Sequence, residues 1–166
     1  SRADWDAFEY SWYFTRHPLI EVISKTGSWF DRGNIHLSEC YQLWKAECAE
    51  RFNQLKANEE ELNRIFIEIY GLQDELTPDV PLDEITILQQ GEVSINENAN
   101  DDDDRLIWHS DVVMKQLISY AVGCMMGRYS IDAPGLILAN QGDGQNEYNA
   151  KVPNSRFEVD DDGIIP

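Results

Sequence analysis

The side chains that could ligate a metal or carry out acid–base chemistry are widely spaced in this chain of 166 residues. The three histidines, His17, His36 and His109, are too far apart in sequence to form a zinc-binding spacing. Four consecutive aspartates at 101–104 could offer oxygen ligands to calcium, but the glycine and distal glutamate of an EF-hand are missing. We therefore predict no metal site and interpret the aspartates as part of a solvated loop.

The three cysteines, Cys40, Cys48 and Cys124, are odd in number and include no Cys-x-x-Cys pair. Cys48 and Cys124 each fall in an apolar helical pattern, which favours buried, reduced thiols over a disulfide. Reduced thiols are typical of cytoplasmic proteins, so a cytoplasmic location is expected. No run of apolar residues approaches the length of a membrane helix, so no membrane span is expected.

Motifs of the common catalytic classes are absent from the sequence. It contains no glycine-rich phosphate loop, no Gly-x-Ser-x-Gly elbow and no His-Glu-x-x-His sequence. Acidic residues are too numerous for a glycosidase pair to be singled out. From this chemistry alone we predict a non-catalytic helical module with no catalytic, cofactor-binding or metal-binding residues.

The net charge of −18 is concentrated in the middle of the chain. Residues 74–104 contain 11 acidic residues and no basic one, whereas residues 1–73 have 12 acids and 8 bases and residues 105–166 have 8 and 5. A nucleic-acid-binding surface normally carries a basic stripe, and none is visible here. Any contact with DNA would therefore be sparse or shared with a basic neighbour.

Hydrophobic periodicity predicts a mainly α fold built on one long helix over residues 38–72. Ser38 is the expected N-cap, and Gly71 the expected stop signal. A line of apolar residues recurs every seven positions along one side, at Tyr41, Cys48, Leu55, Leu62 and Ile69. A helix of this length would bridge two bodies or belong to an antiparallel helical pair.

A second helix is predicted from Ser110 or Asp111 to residue 126. It is apolar on most sides, so we expect it to be central and buried. Gly123 and Gly127 would let a neighbouring backbone approach closely, and Gly127 would cap the C-terminus.

The remaining segments are predicted to be short or irregular. The opening, residues 5–23, carries six aromatic side chains before Pro18, which interrupts it, and is interpreted either as core packing or as a docking surface for a missing domain. Two β-like runs, 84–88 and 92–95, would pair as a small hairpin. The tail is rich in turn-forming residues, with one short strand at 136–139.

We therefore expect a single helical fragment, 1–166, with five stretches. They are an irregular aromatic opening (1–37), the long helix (38–73), an acidic loop or hairpin (74–104), the buried helix (105–129) and a loop-rich, irregular tail (130–166).

Four stretches carry a family resemblance: residues 11–20 (SWYFTRHPLI), 62–78 (LNRIFIEIYGLQDELTP), 118–130 (ISYAVGCMMGRYS) and 161–166 (DDGIIP). In this order they resemble the large bacterial adenine-specific DNA methyltransferases of the PglX type. Those enzymes belong to BREX phage-defence systems and to related Type II restriction-modification systems. The second and third stretches are the specific ones, and Tyr13 stands where the family's Ser-Trp-Asp-Phe has aspartate.

The resemblance implies a position within a longer protein, after the S-adenosylmethionine-binding catalytic domain and before or within the target-recognition region. The family's Asn-Pro-Pro-Tyr motif and its glycine-rich cofactor motif occur nowhere in these 166 residues. The implied role is therefore a helical spacer without a cofactor of its own. The full-length parent protein would transfer a methyl group from S-adenosylmethionine to the amino group of a flipped-out adenine. The implied partners are double-stranded DNA, reached through the parent, and the rest of the parent chain.

Four basic residues are candidate phosphate contacts, because they lie in loops or at helix ends outside the acidic middle. They are Arg16, Lys25, Arg32 and Arg128. Two other functions remain open. One is a protein-interaction module unrelated to DNA, which would show an exposed apolar strip. The other is an acidic DNA mimic, which would need carboxylates spread in a duplex-like array rather than clustered in one loop.

Overall fold

The computed structural model describes residues 2–9, 11–26, 36–85, 88, 90–96, 98–99 and 105–157. The helices are α1 (Arg2–Trp5), α2 (Pro18–Thr26), α3 (Leu37–Tyr70), α4 (Ser110–Met125) and α5 (Gln145–Lys151). The strands β1 (Val93–Ile95) and β2 (Leu106–Trp108) pair antiparallel, and Leu82–Glu84 forms a 3₁₀ turn. The predicted mainly α fold with a small hairpin is confirmed.

The chain folds into two compact units. The middle unit is Gln42–His109, and the terminal unit combines Arg2–Tyr41 with Ser110–Pro166. Helix α3 contributes its first turn to the terminal unit and the rest of its length to the middle unit.

Helix α3 begins slightly earlier than predicted. The amide of Cys40 donates to the His36 carbonyl at 3.2 Å, and the His36 amide donates to the Glu39 carboxylate at 3.3 Å. His36, rather than Ser38, is therefore the N-cap, because the side chain of Glu39 reaches back to the residue before the helix. The 34 residues of α3 span about 50 Å at 1.5 Å per residue.

The end of α3 confirms the predicted glycine stop. Gly71 adopts a φ of 68°, its amide donates to the Glu68 carbonyl at 3.3 Å, and the Leu72 amide donates to the Ile67 carbonyl at 2.9 Å. These two bonds form a Schellman motif, which satisfies carbonyl groups at the helix terminus and favours glycine in the left-handed position.

The hairpin packs against α3 inside the middle unit. Trp108 of β2 meets Trp44 of α3 edge-on, with ring centroids 5.9 Å apart. The ammonium group of Lys45 lies 5.7 Å from the centroid of the Trp108 ring. Further along α3, Cys48 and Phe52 are buried. Trp108 thus anchors β2 on the first half of α3.

The predicted hairpin had the wrong partner strand. Val93 pairs with Trp108 and Ile95 with Leu106, instead of with residues 84–88. Within that earlier run, residue 84 ends a 3₁₀ turn, Leu88 has a φ of 55°, and positions 86–87 lie outside the described residues. The true partner lies across a connection containing the four aspartates, so no tight-turn signal marks it in the sequence.

Helix α4 forms where predicted, but it is buried on one side only. Val113 and Tyr120 are buried, whereas Ile118, Val122 and Met125 are exposed. The prediction of a central, buried α4 therefore holds for one side of the helix only, because apolar composition does not reveal which sides a neighbour covers.

The tail contains a helix that the sequence did not reveal and lacks the predicted strand. Residues 136–139 form no strand, although the Ile137 amide donates to the Arg128 carbonyl at 2.9 Å. Helix α5 follows Gly144, whose amide donates to the Glu147 carboxylate at 2.8 Å. Tyr148 of α5 packs with Ile137 in a buried cluster, and this contact stabilises a helix too short to be stable alone.

Candidate functional site

An aromatic cluster lies in the core of the terminal unit, and its members come from two distant parts of the chain. The ring of Phe14 meets those of Tyr120 and Tyr129 edge-on, with centroids 5.9 and 5.2 Å apart. Tyr120 stacks on Tyr129 at 5.4 Å, and the His17 ring lies 6.3 Å from Tyr120. All four side chains are buried. We call Phe14, His17, Tyr120 and Tyr129 the aromatic cluster.

The turn after α4 places Tyr129 in this cluster. Gly127 has a φ of 71°, and the amide of Arg128 donates to the Gly123 carbonyl at 2.8 Å. The chain therefore reverses against α4, where a Cβ at position 123 would lie 2.6 Å from the Tyr129 ring. The close approach predicted at Gly123 is thus made by an aromatic side chain rather than by a backbone.

His17 is the titratable member of the cluster and also the N-cap of α2. Its Nδ1 accepts a hydrogen bond from the Leu19 amide at 3.3 Å, and its carbonyl accepts from the Ile20 amide at 3.0 Å. Pro18 occupies the first helical position, where its missing N–H costs no hydrogen bond. Burial lowers the pKa of His17 to about 4, and the backbone of Val113 opposes part of that shift. The imidazole is therefore neutral at physiological pH.

A groove of about 530 Å³ lies beside the cluster, and Phe14 and Tyr129 contribute to its wall. Its remaining walls include Glu9, Trp12, Tyr13, Arg128 and Leu136. Trp12 is 99% exposed, and Tyr13 is also exposed. We call this feature the aromatic groove.

One acidic and one basic side chain flank the rings of the aromatic groove. The carboxylate of Glu9 accepts a hydrogen bond from the Ser119 hydroxyl at 2.7 Å. The guanidinium carbon of Arg128 lies 5.5 Å from the centroid of the Tyr129 ring. Exposed rings can stack on planar groups, and a guanidinium beside them can contact an anion.

The Cys124 thiol and the Tyr120 phenol are held in their protonated forms. Desolvation raises the pKa of the Cys124 thiol and of the Tyr120 phenol. Reactive cysteines require the opposite shift. Within the described part of the chain, no three His, Cys, Asp or Glu side chains are placed to hold a metal ion. The interactions that this arrangement supports are the packing and stacking of aromatic rings.

The candidate phosphate contacts occupy different environments. Arg128 is exposed at the aromatic groove, and Arg16 is close enough to Tyr120 for its charge to oppose the rise in the pKa of that phenol that burial causes. Lys25, in the last turn of α2, forms an ion pair with Glu21 at 3.3 Å. Arg32 lies outside the described residues. The structure thus brings two of the four candidates to the aromatic cluster.

The stretches that carry the family resemblance fall into distinct places. Residues 11–20 and 118–130 together provide the whole aromatic cluster. Residues 62–78 form the end of α3 and the turn after it, in the middle unit. Residues 161–166 lie outside the described residues. Glu9 and Leu136 of the aromatic groove were missed, because nothing in their sequence spacing links them to Trp12.

None of the three cysteines, all of them among the described residues, forms a disulfide; Cys40 and Cys48 are buried, but Cys124 is only partly so, contrary to its predicted burial. In the opening segment, Phe8 and Phe14 pack inward while Trp5 and Trp12 are exposed. The opening segment therefore buries some of its aromatic rings in the core and leaves others on the surface.

A second surface lies on the last third of α3 in the middle unit. Five large apolar side chains share one side of the helix and are exposed there: Leu62, Ile65, Phe66, Ile69 and Tyr70. Their spacing of three and four residues places them in one row. We call this row the apolar stripe.

Comparison with known proteins identifies the chain as a homologue of a segment of adenine-specific methyltransferases. It is 42% identical over 154 residues to the adenine-specific methyltransferase PglX of Lacticaseibacillus casei (strain Zhang), a match that covers 93% of this chain and 11% of that relative. It is 34% identical over 167 residues to the adenine-specific methyltransferase BrxX of Escherichia coli O9:H4 (strain HS), covering 100% of this chain and 13% of that relative. The predicted resemblance to PglX-type methyltransferases is confirmed.

The chain spans only 11% and 13% of the length of these two relatives. No protein-family profile matches the sequence. Among the described helices, none is long and apolar enough to cross a membrane.

Proposed function

We propose that this chain is a non-catalytic helical spacer of a bacterial adenine-specific DNA methyltransferase that acts in the cytoplasm in phage defence. The observation that carries the proposal is the homology along nearly the whole chain to two adenine-specific methyltransferases of which it spans 11% and 13%. The sequence contains neither the Asn-Pro-Pro-Tyr motif nor the glycine-rich cofactor motif of the family. Catalysis and cofactor binding would therefore belong to other parts of the full-length protein.

The proposed role is to fix the distance between the catalytic region and the target-recognition region. A target adenine is inaccessible inside the duplex and must be flipped out to reach a catalytic pocket. The pocket must therefore be held at one position relative to the recognised sequence. A continuous helix of 34 residues, about 50 Å long, is suited to hold such a spacing. S-adenosylmethionine supplies the methyl group elsewhere in the parent, and no residue of this chain takes part in that step.

The chain would contact DNA sparsely, through phosphates rather than bases. Arg128 and Arg16 are the better candidates, because Arg128 is exposed beside the aromatic groove and Arg16 lies at the same cluster. Lys25 is a weaker one, since Glu21 already neutralises it. Arg32 remains a candidate from the sequence. With a net charge of −18, the chain supplies little of the electrostatic attraction to DNA.

A second candidate function, a protein-interaction module, is favoured by the apolar stripe. Such a module was expected to show an exposed apolar strip, and the stripe on α3 is one. A spacer inside a longer protein would also have apolar surfaces that neighbouring parts of the protein cover, so the stripe fits both functions. Changing the length of α3 separates them, because only the spacer role depends on that length.

The test is a seven-residue helical insertion after Asn53 of α3 in the full-length protein, made in the source strain. Seven residues add two turns and about 10 Å while keeping later side chains on the same side. The matched control is a seven-residue insertion after Gln141, an exposed position outside the helices. Genome-wide adenine methylation is the measurement.

If α3 is a spacer, the Asn53 insertion lowers methylation at the native target about tenfold or more, because a misplaced pocket loses its orientation advantage. The control stays close to wild type. S-adenosylmethionine binding by the purified variant checks that its catalytic region is still folded. Wild-type methylation by the Asn53 insertion would contradict the spacer role and favour the interaction module.

A further inference from the structure

The apolar stripe places five large, exposed apolar side chains next to one another in the middle unit. Phe66 is 55% exposed, Ile69 68% and Tyr70 70%. The rings of Phe66 and Tyr70 stack with centroids 6.5 Å apart, so the row presents a continuous apolar surface. Side chains at i, i+3, i+4, i+7 and i+8 are the anchor positions by which one helix binds along another.

A neighbouring side of the same helical segment is already occupied. Ile67 is buried, and the side-chain amide nitrogen of Asn63 donates to the Pro78 carbonyl at 3.2 Å. The carboxylate of Glu60 accepts from Lys56 at 2.5 Å and from the Val80 amide at 3.3 Å. These contacts hold the segment after α3 against one side of the helix, and the stripe is exposed in the part of the middle unit that the structure describes.

The charges around the stripe indicate what could cover it. Residues 59–79 contain seven acidic residues and a single basic one, Arg64. Arg64 is already neutralised, because its guanidinium bonds the Glu61 carboxylate at 2.6 and 2.8 Å and lies 3.8 Å from Glu68. Asp74 and Glu75 in the following turn are exposed. The stripe therefore has an acidic border.

An acidic border disfavours pairing between two copies of this chain. A second copy would bring its own carboxylates against Glu68 and its neighbours, and like charges across an interface cost free energy. A helix with an apolar face and flanking lysine or arginine residues would pack on the apolar stripe and pair its charges with the acidic border. The apolar row supplies affinity, and the charges set partner and orientation.

We propose that the apolar stripe binds a basic amphipathic helix from the remainder of the full-length polypeptide. The source follows from length, since the two relatives extend far beyond the 11% and 13% that this chain matches. A helix on the same polypeptide meets the stripe at high effective concentration. The inference rests on the proposed function only in placing the chain within a longer protein.

Photo-crosslinking in the full-length protein tests the proposal. The crosslinking amino acid p-benzoylphenylalanine replaces Phe66, which is exposed and similar in shape. The control places it at Ala57, an exposed position of α3 outside the stripe. The purified protein is an equimolar mixture of unlabelled and ¹⁵N-labelled copies, and mass spectrometry identifies the crosslinked peptides.

The expected product joins position 66 to a peptide of the same molecule that lies outside this chain. That peptide carries apolar residues at helical spacing with at least two flanking lysines or arginines, and position 57 does not give it. Mixed-label products would show a second copy on the stripe and overturn the proposal. A neutral or acidic partner peptide, or no product from position 66, would overturn it too.

A charge reversal gives a second measurement. Glu68→Lys should lower the crosslinking yield from position 66 about threefold or more at low salt, because a cation then faces the basic flank. Glu50→Lys, exposed near the middle of α3, should leave the yield unchanged. Equal yields from the two variants would contradict the basic partner. These results do not depend on methylation, so they stand apart from the insertion test of the spacer role.

Discussion

The hydroxyl of Tyr120 donates a hydrogen bond to the backbone carbonyl of Ser130 at 3.1 Å, and both residues are buried. This bond connects the middle of α4 to the chain that returns after Gly127. It satisfies a buried phenol and a buried carbonyl at once, in a place where unpaired polar groups are costly. The aromatic cluster is therefore fixed by a polar contact as well as by its rings.

Removing that hydroxyl should destabilise the terminal unit. Tyr120→Phe leaves the Ser130 carbonyl without its partner, and we expect a loss of about 1–2 kcal/mol in the free energy of unfolding. Urea denaturation followed by circular dichroism measures it. Tyr70→Phe, which removes an exposed hydroxyl, is the control and should change stability by less than about 0.5 kcal/mol. Equal effects of the two variants would contradict the role of the bond.

The buried His17 should make the fold sensitive to acid. Its pKa is about 4 in the folded chain and 6.5 when unperturbed, so the unfolded state binds the proton more readily. The stabilisation is complete above pH 6.5 and is lost as the pH falls towards 4, by roughly 3 kcal/mol in total. His17→Asn keeps a side-chain acceptor for the cap and removes the titration. Its stability, measured in urea from pH 7 to 4.5, should therefore fall less steeply than that of the wild type.

Direct titration checks the same prediction without denaturation. The imidazole resonances of His17, followed by NMR, should still report the neutral ring at pH 5.5. A midpoint near 6.5 would show that burial does not perturb this histidine.

The two helix-capping glycines should differ in their tolerance of alanine. Both have positive φ, 68° at Gly71 and 71° at Gly127. A Cβ at Gly71 meets nothing within 4 Å, whereas one at Gly127 would lie 2.8 Å from the side chain of Leu138. We expect Gly71→Ala to cost about 1 kcal/mol from backbone strain. Gly127→Ala should cost about 1 kcal/mol more, because Leu138 must move. Thermal unfolding of the two variants measures the difference, and equal costs would contradict the steric argument.

Two isoleucines near the end of α3 should respond in opposite ways to truncation. Ile67 is buried, and Ile69 is 68% exposed. Ile67→Ala should lower the free energy of unfolding by about 2–4 kcal/mol through lost burial and the cavity left behind. Ile69→Ala should change it by less than about 0.5 kcal/mol in the chain studied alone. Urea midpoints provide the comparison, and a large loss for Ile69→Ala would show that the stripe is already covered.

Arg128 should contribute to DNA affinity if the proposed phosphate contacts exist. In the full-length protein, Arg128→Ala should weaken binding to all DNA sequences alike and reduce the salt-dependence slope by about 1. Lys115→Ala, which removes an exposed cation paired with Asp111 at 2.9 Å, is the matched control. Binding titrations from 50 to 200 mM salt provide the slopes. An unchanged slope for Arg128→Ala would remove this residue from the interface.

Local signals in the sequence predicted the elements that local physics controls. The seven-residue apolar recurrence predicted α3, and the glycines at 71 and 127 predicted where α3 and α4 end, since only a residue tolerant of positive φ closes a Schellman turn. The four resembling stretches also predicted the family from the sequence alone. By contrast, α5 escaped prediction, because its stability depends on packing Tyr148 against Ile137.

What the sequence by itself determined is therefore the mainly α fold, the ends of its main helices and the methyltransferase relationship. Only the tertiary structure decided which groups meet. β1 pairs with β2 across a long connection, and Phe14 meets Tyr120 across more than a hundred residues of chain. It also decided that the apolar line of α3 is buried at Cys48 and exposed at Ile69. The reason is physical: periodicity assigns a residue to one side of a helix, but whether that side is covered depends on neighbours that come from elsewhere in the chain.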